Sequence, residues 1–454
     1  MRIGVVPNLN NLDGGIYQYS LTMLRALRDW GPPNGDQWTV FTPDGTSHPT
    51  VTELESARWA VKPLLPPTLR RQVSTAVKRA AGDAAYSTAT RWLASRGRKL
   101  ISQGGTESSS LDVVKRRPEF QRWFSRQGME LMLYSATNSL SFESGIPYVM
   151  AIHDVQHRLQ PEFPEVSANG EWEWREYLFR NGTRYATIII ADSEVSREDI
   201  LNLYGQYGLT PDRVKTLPFL PSYYPSLQGT ESEQNRVSDI YDLPKRYLFY
   251  PAQFWPHKNH ARLVQALALL RQEHGLKIPI VFSGFYAGEI REATYNYVMK
   301  LAHQLGVQDQ IHYIGYVPDE DMPGLYAGAV SLTMPTFFGP TNIPTLEAWA
   351  FNCPVLTSDV RGIREQTGDA ALLVNPLSVE AIADGIRRLA TDQDLRSTLA
   401  RRGQERLSAY RPQDYYRRLT DILNEAKSLV RSGQSWPGTA SKGKSVRDIA
   451  YAEH

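Results

Sequence analysis

The feature that most constrains this chain is a repeat of short, almost wholly apolar runs, each followed by a longer stretch with helical spacing. "RIGVV" (2–6), "WTVFT" (38–42), "ELMLY" (130–134), "YVMAI" (148–152) and "TIIIA" (187–191) form one series. "YLFYP" (247–251), "IPIVFSG" (278–284), "IHYIG" (311–315), "VSLTM" (330–334), "PVLTS" (354–358) and "ALLV" (371–374) form a second. Runs apolar on both faces read as strands covered from both sides, and a helix between consecutive runs makes each pair parallel. At 454 residues the chain exceeds the usual ceiling for one hydrophobic core, so two doubly wound α/β domains are expected. The polar segment 225–245, interrupted by Gly and Pro, reads as the linker between them.

Helical spacing supports the same division. Ile16, Met23, Leu24 and Leu27 share a face just after "DGG", and Leu263, Val264, Leu267 and Leu270 do so after "FWPHKNH". Residues 410–430 read as one long amphipathic helix, and the polar remainder, 431–454, as a disordered tail. The net charge of +2 gives no general case for nucleic acid, and a lone Cys353 leaves no disulfide framework. No run reaches the roughly 18 consecutive apolar residues of a membrane span, and Met1 leads straight into a strand without a signal-peptide pattern. A cytosolic protein is expected, unless a surface holds it. Segment 56–126 offers a reason for such holding, with fifteen Lys/Arg against Asp83, Glu107, Asp112 and Glu119. It reads either as a solvated basic helical insertion or as a patch for the anionic inner face of a membrane.

Chemistry-bearing residues cluster where strands end and helices begin. Gly14-Gly15 follows the first strand, a position for a tight turn or for backbone N–H groups that meet an anion. It is not a G-x-G-x-x-G pattern, which disfavours a nicotinamide cofactor. Lys258 in "PAQFWPHKNH" stands at a helix mouth, either solvent-exposed or within reach of a phosphate; His257 and His260 lack a third metal ligand nearby. His153-Asp154 sits at the carboxyl edge of a strand, suited to polar catalysis or to packing, and with His157 is too small a set for a metal. Asp319-Glu320-Asp321 reads as an acidic helix start more readily than as a metal–nucleotide motif. In "FFGPTNIPTLEAWAFNCPV" a Gly/Pro/Thr/Asn loop opens a helix that carries Glu347 one turn inside.

Taken in order, "DGGIYQYS", "AIHDVQHRLQPEFP", "ADSEVSREDI", "YPAQFWPHKNHARLVQAL", "IHYIGYVPDEDMPGLYAGA" and "FFGPTNIPTLEAWAFNCPVLTSDVRGIREQTGDAALLVNP" resemble the retaining GT-B glycosyltransferases of family 4, the glycosyl transferases group 1. The likeness covers nearly the whole chain except 56–126 and the tail. It implies two Rossmann-like domains facing across a cleft, 1–225 on the acceptor side and 240–408 holding a nucleotide-sugar, with 409–430 crossing back to the first domain. By position, His153, Lys258 and Glu347 would be the catalytic set: His153 by the transferred sugar, Lys258 on the donor diphosphate, Glu347 on the ribose. Gly14 and Gly15, Gln253, Tyr316 and Val317, and Thr341, Asn342, Ile343, Pro344 and Thr345 would complete the donor site. The implied reaction is a metal-independent, retaining transfer of a mannose-like or other hexose to a glycan or lipid-linked glycan, with no cofactor. Two positions depart from the family pattern: Gly339 stands where a second glutamate is common, and Gln253 where an arginine is common. They keep open a non-catalytic nucleotide-sugar or glycan-binding protein; a nucleotide-sugar epimerase is the other alternative.

Overall fold

The computed structural model describes residues 1–10, 13–29, 35–43, 49–54, 59–67, 69, 111–222 and 229–434. Two parallel sheets form from the two series of apolar runs. The first holds β1 (Arg2–Val6), β2 (Gln37–Thr42), β3 (Trp59–Pro63), β4 (Leu131–Tyr134), β5 (Tyr148–Ile152), β6 (Ile188–Ala191) and β7 (Val214–Thr216), in the order β3-β2-β1-β4-β5-β6-β7. The second holds β8 (Leu248–Pro251), β9 (Ile280–Ser283), β10 (Ile311–Tyr313), β11 (Ser331–Met334), β12 (Val355–Ser358) and β13 (Leu372–Val374), in the order β10-β9-β8-β11-β12-β13. In both sheets the winding reverses beside the first strand, between β1 and β4 and between β8 and β11. That reversal opens a crevice at the carboxyl edge, the place where open α/β sheets take ligands.

Side chains alternate between the two faces of the first sheet. Ile3, Val5, Leu131, Leu133, Val149 and Ile188 feed one core, while Val6, Met132, Tyr134, Met150, Ile152 and Ile189 feed the other. The first of these faces is covered by helix Gly15–Asp29, through Met23, Leu24 and Leu27, and by the C-terminal helix Pro412–Arg431. That long helix buries Tyr415, Leu419, Ile422, Leu423 and Ala426 against the first sheet, although it follows the second domain in sequence. The second domain has one contiguous core, to which Leu263, Val264, Leu267 and Leu270 contribute.

Segment 225–245 is not a plain linker. Its residues 231–241 form a helix, started by a capping box in which Thr230 and Glu233 satisfy each other's backbone, and Val237 is buried in the second core. The basic region 56–126 is likewise not wholly an insertion: β3 is the edge strand of the first sheet, and helix Pro118–Arg126 buries Phe120 and Phe124 in the same domain. Its central part, 70–110, and residues 435–454 of the tail lie outside the described residues.

The C-terminal helix is anchored by a buried ion pair. Lys427 Nζ donates to Asp36 Oδ2 at 2.6 Å, and the Met1 amino group reaches Asp36 Oδ1 at 2.7 Å. Burial opposes ionisation of Asp36, yet these two cations hold its carboxyl below the ordinary value. Removing one partner of a buried pair strands the other charge, at about 3–5 kcal/mol. Because the Met1 amino group still faces Asp36, Lys427→Met should lower the unfolding free energy read by denaturant titration by less than that. Adding Asp36→Asn should recover part of that loss, and additive losses in this double cycle would show that the two groups do not interact.

Candidate functional site

At the carboxyl end of β8 the chain passes through Gln253 into the turn Pro256–Lys258, and then into helix His260–His274. Asn259 enables the sharp entry by taking a left-handed conformation (φ 62°), which asparagine tolerates better than most residues. Its side chain donates to the carbonyls of Pro335 and Pro376 at 2.7 and 2.9 Å, so the turn is tied to the loop after β11. Tyr250 Oη donates to the Lys258 carbonyl at 2.7 Å. The Lys258 backbone is thus fixed, but its ammonium is not neutralised: among the described residues no carboxylate comes within ion-pair distance of it. Burial pushes its pKa down to about 8, against the weaker pull of the Glu165 and Asp154 charges.

The loop after β11 runs alongside. Phe337 N–H donates to the His257 carbonyl at 2.8 Å, and the Gln366 carboxamide clamps Asn342 by accepting from its N–H and donating to its C=O, both at 2.9 Å. Helix Ile343–Ala350 begins here without a side-chain cap, since Asn342 at the capping position makes no such bond. Asn342 Nδ2 and Thr345 Oγ1 are buried with no hydrogen-bond partner among the described residues. An uncapped helix mouth with unsatisfied donors, next to a lysine lacking a counter-ion, is the physical description of an anion site. One turn further in, the buried Glu347 carboxylate accepts from Tyr326 Oη at 2.6 Å, which fixes its orientation.

Residues separated by hundreds of positions converge on this loop from the first domain. A Cβ on Gly14 would lie 3.4 Å from Gln253 Nε2, and one on Gly15 would lie 3.9 Å from Ile343 Cδ1, so the glycine turn faces the loops after β8 and β11 across the cleft. Thr341 Oγ1 donates to Asp192, whose carboxyl is pushed up to about 6 by burial despite the hydroxyls of Ser196, Thr341 and Ser193. Glu165 accepts from His257 twice, from its N–H at 3.1 Å and its ring Nδ1 at 2.6 Å. Gln160 Nε2 reaches the Phe337 carbonyl at 3.1 Å. A cavity of about 270 Å³ remains between the domains, bounded by Asp154, Leu159, Phe337, Gly339 and Arg361.

His153 stands at the end of β5. Its Nε2–H donates to the Ser135 carbonyl at 2.9 Å, its ring meets Tyr19 edge-on at 4.5 Å, and burial lowers its pKa, so it is held as a neutral imidazole with Nδ1 as the acceptor. The other candidate ligands part company. Asp154 pairs with Arg175 at 2.9 Å; although burial works to raise it, that cation holds its carboxyl at about 2. His157 is buried against Glu176, and His260 is stacked between Tyr250 and Phe254. In the acidic triplet, Asp319 accepts from Gln18 across the cleft and Asp321 from Arg236 and Tyr241. Tyr316 stacks on Phe285 at 4.7 Å and is partly exposed, while the Val317 side chain is buried in the second core. Sequence reasoning did not single out Glu165, Asp192, Gln366 or Tyr326, because their partners are distant along the chain.

Residues 231–406 match the family described as glycosyl transferases group 1. The chain is 30% identical over 258 residues to the O-antigen chain mannosyltransferase B of Escherichia coli, covering 56% of this chain and 64% of that one. It thus spans less than two thirds of that relative's length. A glycosyltransferase from Rickettsia africae superposes with a TM-score of 0.61 at 14% identity, over 94% of this chain and 98% of that one. HepE from Anabaena, solved with UDP and glucose, superposes with a TM-score of 0.60 at 15% identity, over 96% and 100%. At these identities the superpositions show the fold, and it is GT-B: two Rossmann-like domains facing across a cleft.

The Lys258 environment can be checked without any ligand. Glu165 is the largest of the charges that raise its pKa, so Glu165→Gln should move the titration midpoint below about 8. NMR of ε-13C-labelled lysine reads this directly, and an unmoved midpoint would mean that the glutamate's field does not reach the ammonium.

Proposed function

We propose that this chain is a retaining glycosyltransferase that moves a hexose from a nucleotide-sugar to a glycan or lipid-linked glycan. The observation that carries this reading is the Lys258 ammonium, enclosed without a carboxylate beside an uncapped helix mouth at the switch point of the second sheet. A diphosphate supplies the missing negative charge. The match of 231–406 to the group 1 glycosyl transferases and the mannosyltransferase named for the E. coli relative support a sugar nucleotide as its source.

In this reading the donor diphosphate lies between Lys258 and the N–H groups of residues 341–345, with the Gly14-Gly15 turn closing over it from the first domain. Glu347, steadied by Tyr326, accepts from the ribose hydroxyls, and Tyr316 lies against the base. The sugar then projects toward His153. As its bond to the diphosphate lengthens, positive charge gathers on the sugar and negative charge on the departing oxygen. Lys258 and the backbone donors offset the latter, which lowers the barrier in a site that excludes water. The departing oxygen takes the proton of the acceptor hydroxyl, which attacks from the same face and so retains the anomeric configuration. A protein nucleophile is not required. Asp154, Glu165, Asp192 and Glu347 are each already engaged by another side chain. No step is assigned to a metal. The basic region 56–126 would bring the enzyme to an acceptor carried at an anionic membrane surface.

The direct test is a panel of nucleotide-sugars assayed for release of nucleoside diphosphate, by transfer or by slow hydrolysis. Turnover of one donor is expected; tight binding of a donor with neither transfer nor hydrolysis would replace this reading by a binding protein. Glu347 gives a sharper check. A charged hydrogen bond is worth roughly 1.5–3 kcal/mol, so Glu347→Ala should weaken donor binding by about tenfold or more. That loss should shrink when the nucleotide is the deoxyribose form, whereas additive losses in the mutant–deoxynucleotide cycle would remove Glu347 from the ribose.

A further inference from the structure

Glu165 reaches the Lys258 turn from the opposite domain with only half of its carboxylate in use. It lies on the short helix Pro164–Ser167 of the first domain, next to Phe163, whose ring stacks on Phe337 at 5.7 Å. Its Oε1 takes both bonds from His257, the backbone N–H at 3.1 Å and the ring Nδ1 at 2.6 Å. Its Oε2 is buried and meets no hydrogen-bond partner among the described residues, and the side chain as a whole is 6% exposed. A carboxylate oxygen buried without a donor is costly, so a fold that keeps one calls for an explanation.

The residue after His257 is Lys258, whose ammonium has no carboxylate within ion-pair distance among the described residues. Glu165 acts on that ammonium more strongly than Asp154 does, so the two unsatisfied groups are neighbours that do not meet. What fits between them accepts from an ammonium and donates to a carboxylate oxygen. A diphosphate ester has no proton to donate, whereas a hydroxyl does both. Asp154 acts on both Lys258 and His257, and it directly follows His153 in the chain. The gap therefore lies on the His153 side of the diphosphate, where the sugar projects, and not on the side of the base.

We propose that Glu165 is a specificity-determining residue of the donor site: its Oε2 accepts from the C2 hydroxyl of the transferred hexose, and that hydroxyl accepts in turn from Lys258. The proposal rests on the reading of Lys258 as the diphosphate lysine. C2 adjoins the anomeric carbon that carries the diphosphate, so its hydroxyl is the one that stays within reach of a lysine on the phosphates. The same carboxylate that holds the His257 turn thereby ties the sugar to the first domain.

Glu165→Gln leaves Oε1 to accept from His257 and puts an amide NH2 in place of Oε2, so the hydroxyl would lie between two donors. Calorimetry at about pH 6.5, where Lys258 keeps its charge, can compare GDP-mannose and UDP-glucose with their 2-deoxy-2-fluoro forms and with GDP and UDP. Fluorine fills the place of the hydroxyl but cannot donate. In the unaltered protein the fluoro form of the preferred donor should bind about tenfold more weakly than the donor itself, the loss of one charge-assisted hydrogen bond. Glu165→Gln should weaken the donor by about tenfold, but its fluoro form and the free diphosphate by about threefold or less. Equal binding of donor and fluoro form by the unaltered protein would overturn the proposal, and that comparison needs no variant to fold. Equal losses for donor, fluoro form and diphosphate in Glu165→Gln would leave Glu165 holding the turn alone and overturn it too, as would no loss. Lys258→Met separates the proposal from its premise. If that variant keeps full diphosphate affinity, or if the unaltered protein binds neither GDP nor UDP, the reading of the site fails and this inference with it. If Lys258→Met weakens the diphosphate while donor and fluoro form bind alike, only the inference fails.

Discussion

A half-buried lysine ammonium with no carboxylate at ion-pair distance is electrostatically costly, and among the described residues nothing neutralises Lys258. Burial drives its pKa down to about 8, against the opposing pull of the Glu165 and Asp154 charges. Carboxylates are near enough to be felt but are spent elsewhere: Glu165 on His257, Asp154 on Arg175. The backbone is pinned by Tyr250 and Asn259, so the side chain has limited freedom to seek another partner. Such a group is expected where charge must be stabilised during a reaction, since a preorganised cation needs no rearrangement when the leaving group departs.

Several polar contacts join the two domains, beside the stacked pair Phe163–Phe337. Thr341 with Asp192, His257 with Glu165, the Phe337 carbonyl with Gln160, and Glu365 with the N–H groups of Glu194 and Val195 all cross the cleft. Polar contacts of this kind can be exchanged for water at modest net cost, unlike a dry apolar interface. A cleft held this way can open to admit a donor and close around it. Two of the contacts, at His257 and Thr341, involve the loops that carry Lys258 and open helix Ile343–Ala350. The C-terminal helix constrains that movement, because it runs from the second domain to a buried Lys427–Asp36 pair on the first.

Much of the fold was legible because parallel strands buried on both faces leave continuous apolar runs, as in "YVMAI" and "TIIIA". The strands that escaped were β3, "WAVKP", and β7, "VKT", which lie at the sheet edges where lysine and proline are tolerated and the apolar signal fades. Helix Glu231–Tyr241 was hidden by composition, having Val237 as its one fully buried residue, although Thr230 and Glu233 spell a capping box that local reading could have found. At the site, Lys258, Glu347 and the glycine pair are visible because each sits where a strand gives way to a helix. The residues that hold them, Glu165, Asp192, Tyr326 and Gln366, are not. Each acts through hydrogen bonds to residues distant along the chain, and such bonds leave no periodicity or spacing in a single sequence.

The central claim is that Lys258 awaits a diphosphate, and the most direct measurement is the proton balance of binding. At a pH of about 9 a nucleoside diphosphate is already fully ionised, whereas Lys258 in the unliganded protein is mostly neutral. Pairing with the diphosphate should restore its charge. Calorimetric titrations with GDP or UDP in two buffers of different ionisation enthalpy should therefore show uptake of most of one proton. That uptake should vanish in Lys258→Met. Binding that takes up no proton in the unaltered protein would contradict the account, because the ammonium would then be no part of the phosphate site.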